Sequence, residues 1–447
     1  MTKSKFPHPL VLLTGCIFLG AILSYLMPAG RYDRTDDEVT GRKVVVAGTY
    51  HRVDQQPVKP FQALVAIPKG MADAASVIFL VFLVGGAFTV VDETGALKQA
   101  VGWLVHKLRN RETFVIPIVS VTFALAGALE NLQEEIIPLL PVLLLLTRRL
   151  GFNALTAVAM SFGAAAVGAS FSPINPFQAG IAQKLAQLPL LSGGGFRIVF
   201  LVIALIIWIL GTMRYARRTR SEADSSVQEE ASAFNTRKTL VLVIVLAAFA
   251  VFIFGVLRLG WDFDQMSGLF FLMGVLAGLI GGLGVSGTAE SFVEGFRSMA
   301  YAGLLIGFAR AIFIVLDQGQ IIDTVVNGLV TPLARLPVAL SALGMMIVHV
   351  FIHAPAPSVS GQAVLTMPVL VPLSDLLGLS RQVTVLAYQY GAGMCDLITP
   401  TNGALMAIIA AAKVRYDEWL KFAIPIFLIL LGLGGIAIIA GIVIGLK

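Results

Sequence analysis

The chain has 447 residues, of which 57% are hydrophobic and 13% charged, with a mean hydropathy of +0.87. That balance excludes a soluble core of ordinary composition and calls for several membrane-crossing helices. The formal charge of +6 is of the kind that Lys and Arg in cytoplasmic loops produce, so it implies no nucleic-acid partner; Cys16 and Cys395, each in an apolar run, provide neither a disulfide framework nor a CxxC metal pair.

In chain order, Lys3 and Lys5 precede an apolar run over 10–29. It is too long for a signal-peptide core and predicts a retained first span. Residues 30–60 carry nearly matched acids and bases around a β-like run at 44–46, which predicts a small extracytoplasmic loop. A span over 76–92 follows. Over 96–108, Leu97, Ala100, Val101, Leu104, Val105 and Leu108 recur at helical spacing and predict an amphipathic surface helix. His106, Lys107, Arg109 and Arg111 place its end on the cytoplasmic side. Residues 113–147 are apolar except for ENLQEE at 130–135, and Arg148 and Arg149 close the stretch with the sign of charge that opened it. Arms of about 15 residues rise only about 22 Å, too little for two crossings. The stretch therefore predicts a re-entrant hairpin with a buried polar tip.

Two later segments, 155–188 and 383–412, share an unusual interruption. Ser172, Pro173 and Asn175 in ASFSPINPFQ match Thr399, Pro400 and Asn402 in CDLITPTNGA. Proline removes a donor and disfavours helix in the residue before it, so each site breaks a helix inside an apolar segment. Backbone groups freed there must be met by protein, water or ligand, and such broken helices in corresponding halves mark a transporter's central site. Spans are also predicted at 198–213, 240–256, 266–283, 301–316 and 422–446. A second hairpin is predicted over 338–373, interrupted by HAPAPSVSGQ.

The halves correspond in register: Asp92 and Asp317 lie 225 positions apart, Pro138 and Pro368 230, and Asn175 and Asn402 227. The expected fold is all-α and polytopic, with two inverted repeats (1–213 and 259–447), a cytoplasmic linker at 214–238 and a connecting span at 239–258. Each repeat has four crossings, one of them a discontinuous helix, and a hairpin. The one extra span turns the second copy over, giving about nine crossings plus two hairpins, with the N-terminus cytoplasmic and the C-terminus extracytoplasmic.

The segments SGQAVLTMPVLVPLSDLLGLSRQVTVLAYQYG, DLITPTNG, EEIIPLLP and SFSPINPF resemble the C4-dicarboxylate anaerobic carrier (DcuC-like) family, particularly its YfcC-type branch, over nearly the whole chain. The wider ion transporter superfamily, including the p-aminobenzoyl-glutamate transporters, is similar in architecture. The resemblance implies a bacterial inner-membrane secondary carrier for a small organic acid or amino acid, and a homodimer in the better-known relatives. It leaves the substrate open, because the branch includes members labelled as dicarboxylate carriers and as basic amino acid antiporters. ENLQEE is more acidic than a tip receiving a bare dianion would require.

The candidate substrate ligands are Asn175, Gln178, Asn402, Ser358, Ser360, Gly361, Gln362 and Glu134. The asparagines follow each break, where an amide either caps a half-helix or coordinates an ion. The second tip supplies hydroxyls and an amide that suit a carboxylate. The candidate coupling residues are Ser172, Thr399, Asp396, Glu130 and Glu135, since carboxylates at membrane depth are costly and are retained for ion or proton pathways. The tip acids serve equally as counter-charges for an amino group. His349 and His353 have metal-ligand spacing, but no HExxH glutamate or cysteine cluster accompanies them, and no cofactor is expected beyond Na⁺ or H⁺ as coupling ion. With no GxxxxGK[ST] loop or HExxH motif, neither an ATP-driven pump nor an intramembrane enzyme is expected. The expectation is a symporter or antiporter of C4-dicarboxylate-like acids or amino acids. A basic or zwitterionic amino acid antiporter is the alternative and a passive channel the remote one.

Overall fold

The structure, a computed structural model, describes residues 9–37, 42–97, 99, 112–130, 133–220, 235–259, 261–354 and 357–446. The expected amphipathic helix at 96–108 lies almost wholly outside the described residues, as does most of the 214–238 linker.

The first crossing, α1 (Pro9–Leu26), leads into two short antiparallel pairs, β1 (Gly30–Arg31) with β4 (His51–Arg52) and β2 (Arg34–Asp37) with β3 (Arg42–Val45). Proline at the first position opens α2 (Pro60–Asp73), which bends at Ala74 into α3 (Ala75–Glu93). The first hairpin comprises α4 (Val115–Glu130), a 3₁₀ stretch at Glu134–Leu139 and α5 (Leu140–Arg149). Then come the broken helix, α6 (Ala154–Ser170) and α7 (176–185), and the crossing α8 (Gly194–Arg218). The extra span is α9 (Thr236–Leu259).

The second repeat restarts with α10 (Phe263–Gly281) and α11 (Gly284–Gln318), then the short α12 (Ile322–Val330). Its hairpin is α13 (Val338–His353) and α14 (Val359–Leu376), its broken helix α15 (Arg381–Cys395) and α16 (Gly403–Ala411), and α17 (Tyr416–Val443) ends it. Helix α11 has 35 residues and extends well before the span at 301–316. Glu290, Glu294 and Arg297 lower the hydropathy of its first half, but no proline interrupts it and the helix runs on. Among the described residues, seven uninterrupted helices are long and apolar enough to cross (α1, α3, α8, α10, α11, α14 and α17); with α14 taken as a hairpin arm, the other six together with α9 and the two broken segments give nine crossings around two hairpins.

Small residues set the packing between repeats, as they do wherever helices must approach closely in a membrane. A Cβ on Gly70 would overlap the Gly307 carbonyl, and one on Gly295 would overlap the backbone of Gly86, so α2–α3 and α11 touch backbone to backbone. Within each repeat the first hairpin arm lies against the first half of the broken helix in the same way: a Cβ on Gly168 would strike the Ala124 carbonyl, and one on Gly391 the Met346 carbonyl.

The β segments dock on α12. Arg34 donates to both oxygens of Asp323 at 2.8 and 2.9 Å, and the Tyr32 backbone N–H adds a third bond to that carboxylate. Burial and the Asp323 charge push the Tyr32 phenol up to about 12, so it stays a neutral donor to Asn327.

Candidate substrate and coupling site

At the first break the side chains close on protein. Ser172 Oγ donates to the Ala128 carbonyl at the end of α4 and accepts from the N–H groups of Ile174 and Asn175. Asn175 donates to the Gly127 carbonyl and caps α7 by accepting from Phe177 and Gln178. Gln178 is fully buried, with its Oε1 against Gly393 of α15. The Ser172 carbonyl accepts from Gln389 Nε2 at 2.6 Å, and Gln389 accepts in turn from Arg197 Nε at 3.2 Å. Arg197 is fully buried in the first turn of α8 and also donates to the Ser192 carbonyl and Gln382 Oε1. Both half-helices of the first repeat are thus anchored to the second repeat's broken helix.

The second break differs. Asp396, 2% exposed, accepts from Gln133 Nε2 at 2.6 Å, Asn402 Nδ2 at 2.7 Å and His353 Nε2 at 2.9 Å. Asn402 also donates to Gln133 Oε1 and caps α16 by accepting from Leu405 N–H. Of the freed backbone, the Leu397 carbonyl accepts from Trp419 and the Ile398 carbonyl from Tyr416. Thr401 donates to the Ala354 carbonyl at the end of α13, as Ser172 does at the corresponding place in the first repeat. Thr399 is buried at the turn, its N–H donating to the Cys395 carbonyl.

The first tip reaches this network through an amide rather than an acid. Gln133 is buried, and Glu135 accepts from its backbone N–H at 3.0 Å. Glu134 is partly exposed and lines a cavity. Glu130 closes α4, and its side chain lies outside the described residues. From the second tip, Gln362 donates to the His349 carbonyl at 2.8 Å, with His349 Nδ1 at 2.9 Å and His353 Nδ1 at 3.3 Å from its amide. Ser358 caps α14 by accepting from Gly361 N–H, and Ser360 is partly buried in the same turn.

A cavity of about 700 Å³ is lined in part by the β segments. It is lined by Glu134, Ser358, Gly361, Gln362, Thr401 and Gly403 of the tips and the second break, by Asp73, Arg310 and Asp317, and by Arg31, Arg34 and Lys43 of the β segments. Arg310 is ion-paired with Asp73 and stacks on Phe313. Four of the sequence-derived candidates, Glu134, Ser358, Gly361 and Gln362, line the cavity. Asn402 and Asp396 lie behind it, and Ser172, Asn175 and Gln178 hold the other break. Sequence reasoning missed Gln133, Gln389, Arg197 and Arg310. Only Arg310, a lone cation in an apolar run, left a local signal. The described residues contain no cluster of three or more His, Cys, Asp or Glu placed to hold a metal.

Residues 6–443 match the C4-dicarboxylate anaerobic carrier family, DcuC. The chain belongs to that family. DcuC membership makes it a multi-pass membrane transporter, in keeping with the bacterial inner membrane. It is 32% identical to "Putative basic amino acid antiporter YfcC" of Escherichia coli (strain K12), covering 100% of this chain and 99% of that one. It is 30% identical to an uncharacterized Haemophilus influenzae protein, covering 90% of this chain and 82% of that one. Among solved structures it is similar to the Alcanivorax borkumensis YdaH transporter (TM-score 0.46, 16% identity, 98% and 99% covered) and to Neisseria gonorrhoeae MtrF, of a class described as antimetabolite efflux pumps (TM-score 0.41, 18% identity, 97% and 95% covered).

Proposed function

We propose that this DcuC-family chain is a secondary active transporter that moves a small amino acid across the bacterial inner membrane by alternating access. The observation that carries this reading is the lining of the cavity, where the Glu134 carboxylate and two helix N-termini meet. The first turns of α14 and α16 both line it, and N-terminal turns present N–H groups and positive dipole to a carboxylate. Glu134 lines the same cavity as counter-charge for an ammonium group. A substrate bearing one carboxylate and one amine matches both. With the N-terminus cytoplasmic, the β segments that line part of the cavity are extracytoplasmic. The name carried by the Escherichia coli relative, a basic amino acid antiporter, agrees with an amine-bearing substrate.

A second reading, a C4-dicarboxylate, is favoured by Arg310 on the cavity wall, which offers a partner for a second carboxylate. Counterflow in proteoliposomes loaded in turn with L-arginine, L-ornithine, L-alanine or succinate, with and without Na⁺, separates the two. The amino acid reading expects preferential exchange of an amino acid, with Glu134→Gln raising its KM at least tenfold. Preferential exchange of succinate, indifferent to Glu134→Gln, would overturn it in favour of the dicarboxylate.

A further inference from the structure

His353 ends α13 with both ring nitrogens facing acceptors. Nε2 lies 2.9 Å from Asp396 Oδ1 and Nδ1 lies 3.3 Å from Gln362 Oε1. The Gln362 amide is oriented from its other end, because its Nε2 donates to the His349 carbonyl at 2.8 Å. That same NH₂ group lies 2.9 Å from His349 Nδ1, which is therefore an acceptor, and His349 is neutral. Asp396 accepts three hydrogen bonds, the pattern of an ionised carboxylate. Both contacts of His353 are satisfied only when both of its nitrogens carry hydrogen. That hydrogen-bond geometry fits one proton more than an ionised aspartate beside a neutral imidazole.

Removing that proton has a mechanical consequence. With Nδ1 bare, its lone pair would face the Gln362 oxygen, two acceptors in contact within a buried site. Relief comes from turning the Gln362 amide, which gives up its bonds to His349. Gln362 lines the cavity, so the turned amide can donate to a carboxylate there. In the protonated state its oxygen and its donors are committed to His353 and His349.

We propose that the His353–Asp396 pair is a proton site that competes with substrate for Gln362, which makes this carrier a proton/substrate exchanger. The proposal rests on the transporter reading above and adds the coupling ion and its sign. The proton enters and leaves at Nδ1, past Gln362 from the cavity, and no bond other than N–H forms or breaks. Among the described residues, the titratable groups facing the pair are His349 on its own helix, Tyr388 and Cys395 on α15, and Glu134 and Glu135 on the first tip; α14 and α16 contribute no titratable side chain at this contact. Of these, Glu134 faces the cavity and the others are uncharged or committed to hydrogen bonds.

The test uses the full-length protein in three measurements. In proteoliposomes with the membrane potential clamped at zero, an acid lumen of one pH unit should drive about tenfold accumulation of the amino acid that exchanges in counterflow. In His353→Gln and Asp396→Asn, the ratio of uptake with and without that gradient should fall to one. Counterflow in the wild type without any response to the gradient would overturn the proposal while leaving the transporter reading intact. Absence of wild-type counterflow with all four probes would overturn the transporter reading instead. The third measurement needs no substrate: histidine ¹⁵N NMR of the wild type, with the His353 signal assigned by its loss in His353→Gln, should show both ring nitrogens protonated near neutral pH. A neutral His353 ring throughout the mildly acidic to neutral range would refute the proton site directly.

Discussion

Gln133 and Asp396 meet at 2.6 Å across 263 positions of sequence, joining the first repeat's hairpin tip to the second repeat's broken helix. Asp396 sits in a buried site where, among the described residues, no arginine or lysine pairs with it, and its carboxylate is met by side chains that donate hydrogen bonds. The amide of Gln133 serves two buried partners at once, Asp396 and Asn402. Any movement of the first tip relative to the second break must break both bonds, which makes this pair a latch between the two repeats.

Gln133→Ala should therefore strand two buried polar groups, at a cost of about 1–3 kcal/mol. The expected outcome is a lower unfolding temperature and counterflow reduced at least tenfold. Gln133→Glu should be worse than alanine, because it sets a second carboxylate against Asp396. Thermal unfolding followed by size-exclusion fluorescence, beside counterflow, checks both; an alanine variant equal to wild type in each would dissolve the latch.

How far the sequence revealed this arrangement depends on where the signal resides. The breaks were readable because proline and asparagine act on their own backbone, and the hairpins because 113–147 is too short to cross twice. The inverted repeat followed from counting crossings. The partners were not readable: Gln133, Gln389 and Arg197 act on residues 263, 217 and 192 positions away, and an uncharged amide in a polar tip looks like any loop residue. The acids of ENLQEE drew attention away from the glutamine among them. The two histidines four apart did mark one helix face, but they meet on a glutamine, which no spacing rule encodes.

Arg197 yields a second prediction. Its guanidinium donates in three directions, to Gln389, Gln382 and the Ser192 carbonyl, and through Gln389 it holds the Ser172 carbonyl at the first break. Lysine keeps the charge but cannot reproduce the planar fork. Arg197→Lys should lose about 2–3 kcal/mol of stability from the groups left unmatched, and counterflow should fall with it. Retention of the wild-type unfolding temperature in Arg197→Lys would show that charge alone suffices.

Two glycines should behave alike in opposite repeats. Gly168 and Gly391 each let a broken helix rest on a carbonyl of its own hairpin arm, Ala124 and Met346 respectively. The obstructing atoms are backbone, which cannot swing aside as a side chain can. Gly168→Ala and Gly391→Ala should each cost about 1–3 kcal/mol or more through forced separation of the helices, with sharply reduced yield of monodisperse protein. Alanine at Gly15 or Gly432, where an added Cβ meets nothing within 4 Å, is the matched control and should leave yield unchanged.

The Asp73–Arg310 pair lines the cavity wall and joins α2 to α11. Its side chains are 46% and 45% exposed, so its contribution to stability should be small, about 0–1 kcal/mol. Its influence on substrate should be larger. Asp73→Asn leaves Arg310 without its counter-charge and makes the cavity more positive, which should lower KM for an anionic substrate and raise it for a cationic one. Arg310→Gln should do the reverse, and both effects should shrink as ionic strength rises. Uptake of succinate and L-arginine by both variants, measured at low and high salt, checks this. Equal shifts for the two substrates would mean that the pair acts on the fold of the wall and not on the field inside the cavity.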